Sequence, residues 1–367
     1  MTDEKSDLIG LSQSEIYESL IANDLIEAKD KFRAKQIWHW IYNKGETDFE
    51  KMSSISKELR SALTQFYQIK RPTIQTHEKS IDGTQKWLFK LHDGNLIETV
   101  FIPEDNRGTL CVSSQVGCTL NCTFCYTGTQ KLVRNLTSEE IVSQLLVAKD
   151  ELSDWSNKHG RKISNVVFMG MGEPLLNVPN VLKAHEALNK EIGIGARHIT
   201  ISTVGVRGSI EKLAHAQLQS VLAVSLHAPN QELRETIIPS AKVYPMEDLL
   251  QDCEQYFVAT GRRVTFEYTL LGGINDQPEH AKELGRLLYA RNLASHVNLI
   301  PYNPVDDSDY QRPSRATVYA FRDILEGLNV PASIRQTRGL EAAAACGQLR
   351  NAFQKNAIVG DLAPATT

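Results

Sequence analysis

Long apolar runs are missing from this chain. No stretch reaches the length that a signal or membrane helix requires, and the first residues, Met1-Thr-Asp-Glu-Lys-Ser-Asp7, are charged. The expectation is a cytoplasmic protein without a membrane partner. Cysteines are few, 6 in 367 residues, and too clustered for a disulfide scaffold; they suit a reducing compartment and metal or redox use. An excess of positive charge is missing too, since 40 Lys and Arg stand against 44 Asp and Glu for a formal net charge of -4. That balance excludes a globally basic nucleic-acid binder and leaves local patches. Lys29, Lys31, Arg33 and Lys35 precede Trp38 and Trp40, and Lys131 with Arg134 follow a group of cysteines. Cations beside aromatics suit phosphate contact and base stacking, and equally a solvated helix face.

The absence that carries most is a fourth cysteine. Cys118, Cys122 and Cys125 stand at CxxxCxxC spacing, and no further thiol at ligand spacing closes the set. A structural zinc takes four protein ligands. The 10 residues on either side hold no His or Asp, only the thiol of Cys111. A redox dithiol made of Cys122 and Cys125 would sit at a helix start without a third cysteine upstream. Three thiolates on a four-iron cluster leave one iron open to bind and reduce something else.

The length points to two or three units with an ample core. Residues from about 12 to 70 read as helical, with Ile16 and Leu20 four apart and Ile37, Trp38 and Ile41 on one face. The pattern then changes: Lys86-Trp-Leu-Phe-Lys-Leu91 and Leu96-Ile-Glu-Thr-Val-Phe-Ile102 flank Asp93-Gly94, a hairpin signature. From Thr109 onward six β-rich runs alternate with helical stretches: 110–113, 165–169, 198–202, 221–225, 263–268 and 297–300. Each ends in polar or turn-forming residues, such as Gly170-Met-Gly-Glu-Pro174 and Ser225-Leu-His-Ala-Pro229. Active sites of α/β barrels gather at the carboxyl ends of the strands. The expected fold is therefore α/β, a partial (β/α)6 TIM-like barrel with a lateral gap for a bulky substrate. The expected division is a helical accessory unit over 1–80, a β-hairpin linker over 81–108, the barrel over 109–345 and a C-terminal segment over 346–367.

CxxxCxxC after the first of these strands and Gly-Glu-Pro after the second resemble the radical S-adenosylmethionine (SAM) superfamily. Within it, Thr109-Leu-Cys-Val-Ser-Ser-Gln-Val-Gly-Cys118, Met169-Gly-Met-Gly-Glu-Pro-Leu-Leu-Asn177, Ser225-Leu-His-Ala-Pro-Asn230, Thr337-Arg-Gly339 and Ala345-Cys-Gly-Gln-Leu349 resemble the bacterial dual-specificity adenine C2-methyltransferases of 23S rRNA and tRNA. The resemblance runs from about residue 15 to about residue 355. It implies a [4Fe-4S] cluster on Cys118, Cys122 and Cys125. It implies SAM held by Gly172 and Glu173, by Ser202, by Ser225 with Leu226 and His227, and by Asn303. Two SAM would be used per turnover, one as methyl donor and one as radical source.

The same resemblance makes Cys346 the methyl carrier. C2 of adenine is an electron-poor ring carbon without a lone pair, so direct displacement has no good path, whereas a thiolate accepts a methyl readily. A radical formed on the methylated cysteine would add to C2 and crosslink RNA to protein. Cys111 would then attack the Cys346 sulfur, releasing the base and leaving a disulfide to be reduced. Glu98 matches the family's proton acceptor, and whether it or Cys111 takes the C2 proton stays open. By its own context Cys346, after four alanines, suits a small buried thiol equally. Glu98 equally suits the outward face of a strand, and Cys253 matches no motif and serves as a packed control.

The helical start, Lys29 to Trp40 included, fits the family's RNA-engaging accessory domain. Implied partners are 23S rRNA, tRNA and an electron donor such as flavodoxin, with no DNA. A target base must leave its stack at a cost of a few kcal/mol, so folded shape and loops are the expected features of the substrate. Two alternatives stay open: the sister C8-methyltransferase of the antibiotic-resistance type, and a non-catalytic protein that scaffolds or senses iron.

Overall fold

The computed structural model describes residues 5–349 apart from 157–159, 292 and 306–307; most of the expected 346–367 segment therefore lies outside the described residues. Three helices open the chain: α1 (Gln13–Ala22), α2 (Phe32–Tyr42) and α3 (Lys57–Phe66). α1 begins at a capping box, in which the Ser12 hydroxyl accepts from the Glu15 N–H and the Glu15 carboxylate accepts from the Ser12 N–H. Such a cap contributes about 1 kcal/mol. Ile16, Leu20, Ile37, Ile41, Leu59 and Leu63 recur at helical spacing and are buried against one another's elements. Parallel pairing of Ser6–Asp7 with Tyr67–Gln68 ties the two ends of this unit together.

Ten strands form one sheet, laid side by side in chain order: β1 (Thr73–Lys79), β2 (Gln85–Lys90), β3 (Leu96–Glu104), β4 (Arg107–Cys111), β5 (Asn165–Phe168), β6 (Ile199–Thr203), β7 (Val221–Ser225), β8 (Val264–Leu270), β9 (Ser295–Pro301) and β10 (Ala332–Ile334). β1 to β4 pair antiparallel and β4 to β10 parallel. The parallel strands are joined by α4 (Ser138–Glu151), α5 (Val178–Glu186), α6 (Ser209–His215), α7 (Gln231–Ile237) with α8 (Met246–Thr260), α9 (Pro278–Tyr289) and α10 (Arg315–Gly327).

This is the expected α/β radical SAM fold, with a helical N-terminal unit. Two features differ from the sequence reading. β2 and β3 form the expected hairpin, but they are part of the main sheet and not a separate linker, and β1 is a strand inside the expected helical unit over 1–80: all three continue the sheet through β4. β1 reads Thr-Ile-Gln-Thr-His-Glu-Lys and is exposed along nearly its whole length, so it carries no alternation to detect. β10 adds a further parallel strand at the other edge, and its three residues are too short a run to stand out.

The two faces of the parallel sheet differ. Outward residues such as Leu222, Val264, Phe266, Val297 and Leu299 are buried with Leu249, Leu284 and Phe321 of the helices. Inward residues, among them Thr109, Asn165, Thr200, Thr265, Asn298 and Ser333, line a cavity of about 1070 Å³. Barrel interiors are ordinarily filled by layers of branched apolar side chains. This one is hollow, and polar side chains alternate with apolar ones such as Val167, Val221 and Ile300 on its wall.

Candidate active site

The cysteine loop leaves β4 along a path fixed by buried amides. Gln144 of α4 accepts the Ser113 N–H (2.8 Å) and donates to the Ser113 carbonyl (3.0 Å), while Asn177 Nδ2 donates to the carbonyls of Ser114 (2.9 Å) and Leu136 (2.7 Å). The loop then turns on itself: the Cys118 N–H donates to the Gln130 carbonyl (3.2 Å), that of Cys125 to Cys122 (3.1 Å) and that of Gly128 to Cys125 (3.0 Å). All three thiols line one cavity of about 150 Å³. Burial pushes the Cys118 thiol up to about 11 and raises Cys122 and Cys125 as well. Ligation of a metal would therefore release protons.

Among the described residues no group of three His, Cys, Asp or Glu side chains closes round a single point as one metal ion would need. Three thiols lining one cavity make a soft all-sulfur donor set, which fits an iron–sulfur cluster.

Gly170 and Gly172 bring the next loop against this one. A Cβ on Gly170 would lie 2.7 Å from the Val112 carbonyl carbon, and one on Gly172, at φ +97°, 2.5 Å from the Gln115 Cβ. Only glycine lets the two strand ends meet so closely. Gln115 Oε1 accepts the Glu173 N–H (2.8 Å), and the Glu173 carboxylate in turn accepts from the N–H groups of Leu175 (2.9 Å) and Val204 (3.0 Å). Burial pushes the Glu173 carboxyl up to about 7 against the pull of these donors. A carboxylate at the cavity wall, short of positive partners, suits an ammonium ligand.

His227 follows β7 with φ +58°, a strained conformation for a non-glycine residue. Its Nδ1 accepts the Thr269 N–H (2.9 Å), so the ring proton sits on Nε2, and burial drives its pKa down to about 3. The ring, edge-on to Phe124 at 4.8 Å between centroids, is a fixed neutral donor at the cavity. Arg234 of α7 buckles the adjoining strand ends, donating to the carbonyls of Val204 (2.6 Å), Ser225 (3.3 Å) and Leu226 (3.2 Å). Burial lowers its pKa to about 10.

Ser202, Ser225 and Asn303 join Glu173 and His227 at the same wall. Leu226 does not: its side chain is buried in the core, and its N–H donates to the Glu267 carbonyl (3.0 Å). Cys346 lines both this cavity and the hollow interior. Its segment is tied to the cluster loop and the wall: the Tyr126 N–H donates to the Gly347 carbonyl (2.7 Å), Thr127 Oγ1 to Leu349 (2.8 Å) and Asn303 Nδ2 to Cys346 (3.3 Å).

Cys111 lies on the inward face of β4, two residues beyond Thr109. Burial and the neighbouring Cys346 push its thiol up to about 12. Glu98 shares that face: it is in register with Leu88 and lies two residues along β3 from Val100, the partner of Cys111. It is inward and buried, not outward, and Lys86 Nζ stands 3.2 Å from its carboxylate. Glu98 lines neither cavity, although Lys86 also reaches the Ala343 carbonyl at 3.5 Å. All six cysteines are free thiols, and Cys253 is packed in the core.

Sequence reasoning missed Arg234, Gln115, Glu267 and Arg335. Glu267 and Arg335 line both cavities beside Cys346. Burial raises the Glu267 carboxyl against the attraction of Arg335, while Cys346 and then Glu267 hold the Arg335 guanidinium charged. Nothing local marks a lone Glu in a β-run or a lone Arg after one.

In the Lys29 to Trp40 region the exposed aromatic is Phe32, with the Arg33 guanidinium 4.7 Å from its ring centroid, rather than either indole. Trp38 and Trp40 pack half-buried on the core, Trp40 Nε1 donates to Ser54 Oγ (2.9 Å), and Lys29 is paired with Glu27 at 2.7 Å. Apolar faces of α2 take the indoles inward. Among the described residues no helix is long and apolar enough to cross a membrane.

Comparison with known proteins fits this geometry. Residues 112–285 match the Radical SAM superfamily, and residues 6–69 match the ribosomal RNA large subunit methyltransferase N-terminal domain. A probable dual-specificity RNA methyltransferase RlmN of Thermosynechococcus vestitus is 52% identical over 321 residues, 88% of this chain and 92% of the relative. One of the same description from Synechococcus sp. strain JA-2-3B'a(2-13) is 48% identical over 97% of this chain and 98% of its own length. The crystal structure of a radical SAM methyltransferase from Sphaerobacter thermophilus superposes with a TM-score of 0.87 at 42% identity, covering 94% of this chain and 99% of that one. The sister C8 type is not favoured by these likenesses, and a non-catalytic iron scaffold is not either. The chain belongs to the RlmN-type family of dual-specificity RNA methyltransferases, enzymes of the radical SAM superfamily.

Proposed function

We propose that this enzyme methylates C2 of a specific adenosine in 23S rRNA and of an adenosine next to the anticodon in tRNAs, with Cys346 as carrier. The observation that carries the reading is that Cys346 lines one cavity with Cys118, Cys122 and Cys125, on a segment bonded to their loop. Cys118, Cys122 and Cys125 would hold the [4Fe-4S] cluster. Glu173 would take the amino group of SAM, with Gly172 allowing close approach and Ser202, Ser225, His227 and Asn303 bonding its other polar groups; Leu226 would contribute through its backbone. When bound, cluster and SAM supply an electron, a methyl group and a hydrogen-abstracting radical, with two SAM consumed per turnover.

The chain's own residues do the rest. Cys346 Sγ accepts the methyl and delivers its carbon to the ring. Glu98, held by Lys86, or Cys111 takes the C2 proton. Cys111 sulfur attacks Cys346 sulfur and breaks its bond to the delivered carbon, which leaves with the electron pair and takes up a proton to become the methyl group; the transient disulfide is reduced by an external dithiol before the next cycle. A flavodoxin-type protein in the cytoplasm is the expected electron donor.

The test is nucleoside mass spectrometry of RNA from a deletion strain. Loss of 2-methyladenosine from both rRNA and tRNA, restored by the gene, is the expected result. An unchanged 2-methyladenosine content overturns the reading.

A further inference from the structure

The hollow interior has a second opening. Beyond the carboxyl ends of β9 and β10, a groove of about 620 Å³ runs between Pro301, the start of α10 and residues 334–338. Ile334, Arg335 and Arg338 line the groove and the hollow interior alike, so the two share a wall. The groove therefore lies on the mouth side of the sheet, at its free edge strand, next to the interior that Cys346 lines.

Its walls are basic. Arg312, Arg315, Arg335 and Arg338 line it against a single carboxylate, Asp82. Asp82 is already engaged, accepting from the N–H groups of Gly339 (2.9 Å) and Thr84 (3.0 Å). Among the described residues no carboxylate forms an ion pair with Arg312, Arg315 or Arg338. The contrast with Lys29 is plain, since that cation is spent on Glu27. In a chain of net charge -4, unpaired guanidinium groups gathered along one groove are a local excess.

The groove also holds an exposed aromatic. Tyr319 lines it, with the Arg315 guanidinium 5.5 Å from the ring centroid and that of Arg322 at 4.8 Å. Arg312 joins the groove to the reaction site: its guanidinium donates to Asn303 Oδ1 (3.0 Å) and Thr337 Oγ1 (2.7 Å), and Asn303 in turn donates to the Cys346 carbonyl.

We infer that this groove is where the phosphodiester backbone of the substrate RNA docks, with Arg315, Arg338 and Tyr319 as its contacts, while the target base enters the hollow interior. The inference rests on the RNA methyltransferase reading and adds the surface that reading lacks. Guanidinium groups match phosphate oxygens in a fork geometry, and a tyrosine face accepts a base. An acidic electron-donor protein is the other polyanion that a basic groove attracts. RNA is favoured because the groove shares a wall with the interior that Cys346 lines and is lined by none of the cluster cysteines.

The test uses the full-length holoenzyme and a fluorescein-labelled, unmodified tRNA transcript, read by anisotropy between about 50 and 200 mM salt. Arg315→Gln with Arg338→Gln is expected to weaken binding at least about tenfold at the lower salt and to reduce the slope of log K against log salt by about 2, near 1 per lost phosphate contact. Tyr319→Ala weakens binding with little change of slope. Lys190→Gln, which removes an exposed cation paired with Glu186 at 2.7 Å, is the charge control and leaves both unchanged. A thermal midpoint within about 2 °C of wild type shows that the double variant is folded. Wild-type affinity and slope in the double variant overturn the docking surface, as does an equal loss in Lys190→Gln. Unchanged RNA affinity with slowed 5'-deoxyadenosine release from a protein donor, but not from dithionite, assigns the groove to that donor and overturns it too. Because binding is read without turnover, failure of the methylation reading appears separately, as wild-type protein that binds the transcript and leaves it unmethylated.

Discussion

The outward and inward faces of the same strands divide the work of this protein. Along β8, Val264, Phe266 and Tyr268 are fully buried beneath helices, while Thr265 and Glu267 between them face the hollow interior. One residue of shift separates a stabilising side chain from a working one, because successive side chains point to opposite faces. Ordinary parallel sheets are apolar on both sides. Here the inner side gives up its share of burial to make room, and stability rests on the outer layer and on the N-terminal helices.

That division can be broken most visibly at Cys346. Cys346→Ala abolishes methyl transfer to RNA while leaving the cluster absorbance and the melting temperature near wild type; methylated RNA from this variant would contradict the carrier role. Next comes Cys111→Ala, inward on β4, which lets the RNA crosslink form without release. A slow-migrating RNA–protein band on a denaturing gel is the readout, and its absence counts against Cys111.

The outer face is probed by Phe266→Ala, expected to cost about 3–5 kcal/mol in denaturant unfolding. Thr265→Val, on the inner face of the same strand, is expected to stay within about 0.5 kcal/mol. Equal losses at the two positions would erase the contrast between faces.

pH sharpens it further. With its carboxyl raised to about 7 by burial, Glu173 is mostly neutral below that pH and charged above it. An ammonium ligand needs the charged form, so SAM affinity falls by up to about tenfold per pH unit below pH 7. Calorimetric titration of Glu173→Gln should show weak binding with that dependence gone. His227, held near 3, adds no step of its own above pH 5. The smallest effect belongs to Cys253→Ala, buried between α8 and the outer face of the sheet and away from the cavities: RNA methylation stays within about twofold of wild type.

Much of this was legible beforehand because the relevant residues sit in contiguous strings. The three cysteines, Gly172 with Glu173, Ser225 with His227, and Asn303 fall where strands were expected to end, and the fold gathers all of them at one cavity. What escaped has a physical reason. β1 is exposed on nearly every residue and β10 has only three, so neither carries a periodic signal. The face of Glu98 was ambiguous because β3 is flanked on both sides and buries nearly every residue between Ile97 and Phe101, which hides a period of two. Arg335 and Glu267 act through partners far away in sequence, and Arg234 reaches 30 residues back to the Val204 carbonyl, a relation no local window contains. The indoles of Trp38 and Trp40 looked like a stacking platform because helical spacing alone does not say how deeply a half-apolar ring sinks.

Chain order and spatial order coincide across all ten strands, so as the protein emerges from the ribosome each new strand can add to an edge already in place. The exception is the stretch around Cys346, whose bonds reach back more than 200 residues, to Thr127 from Leu349, and whose neighbour Glu341 accepts from Ser80 at a separation of 261. A nascent chain therefore holds Cys118, Cys122 and Cys125 well before it holds Cys346, the thiol proposed as carrier. On the proposed reading the carrier thiol joins the site last, and a premature stop before Cys346 is expected to yield a packed sheet without a methyl carrier.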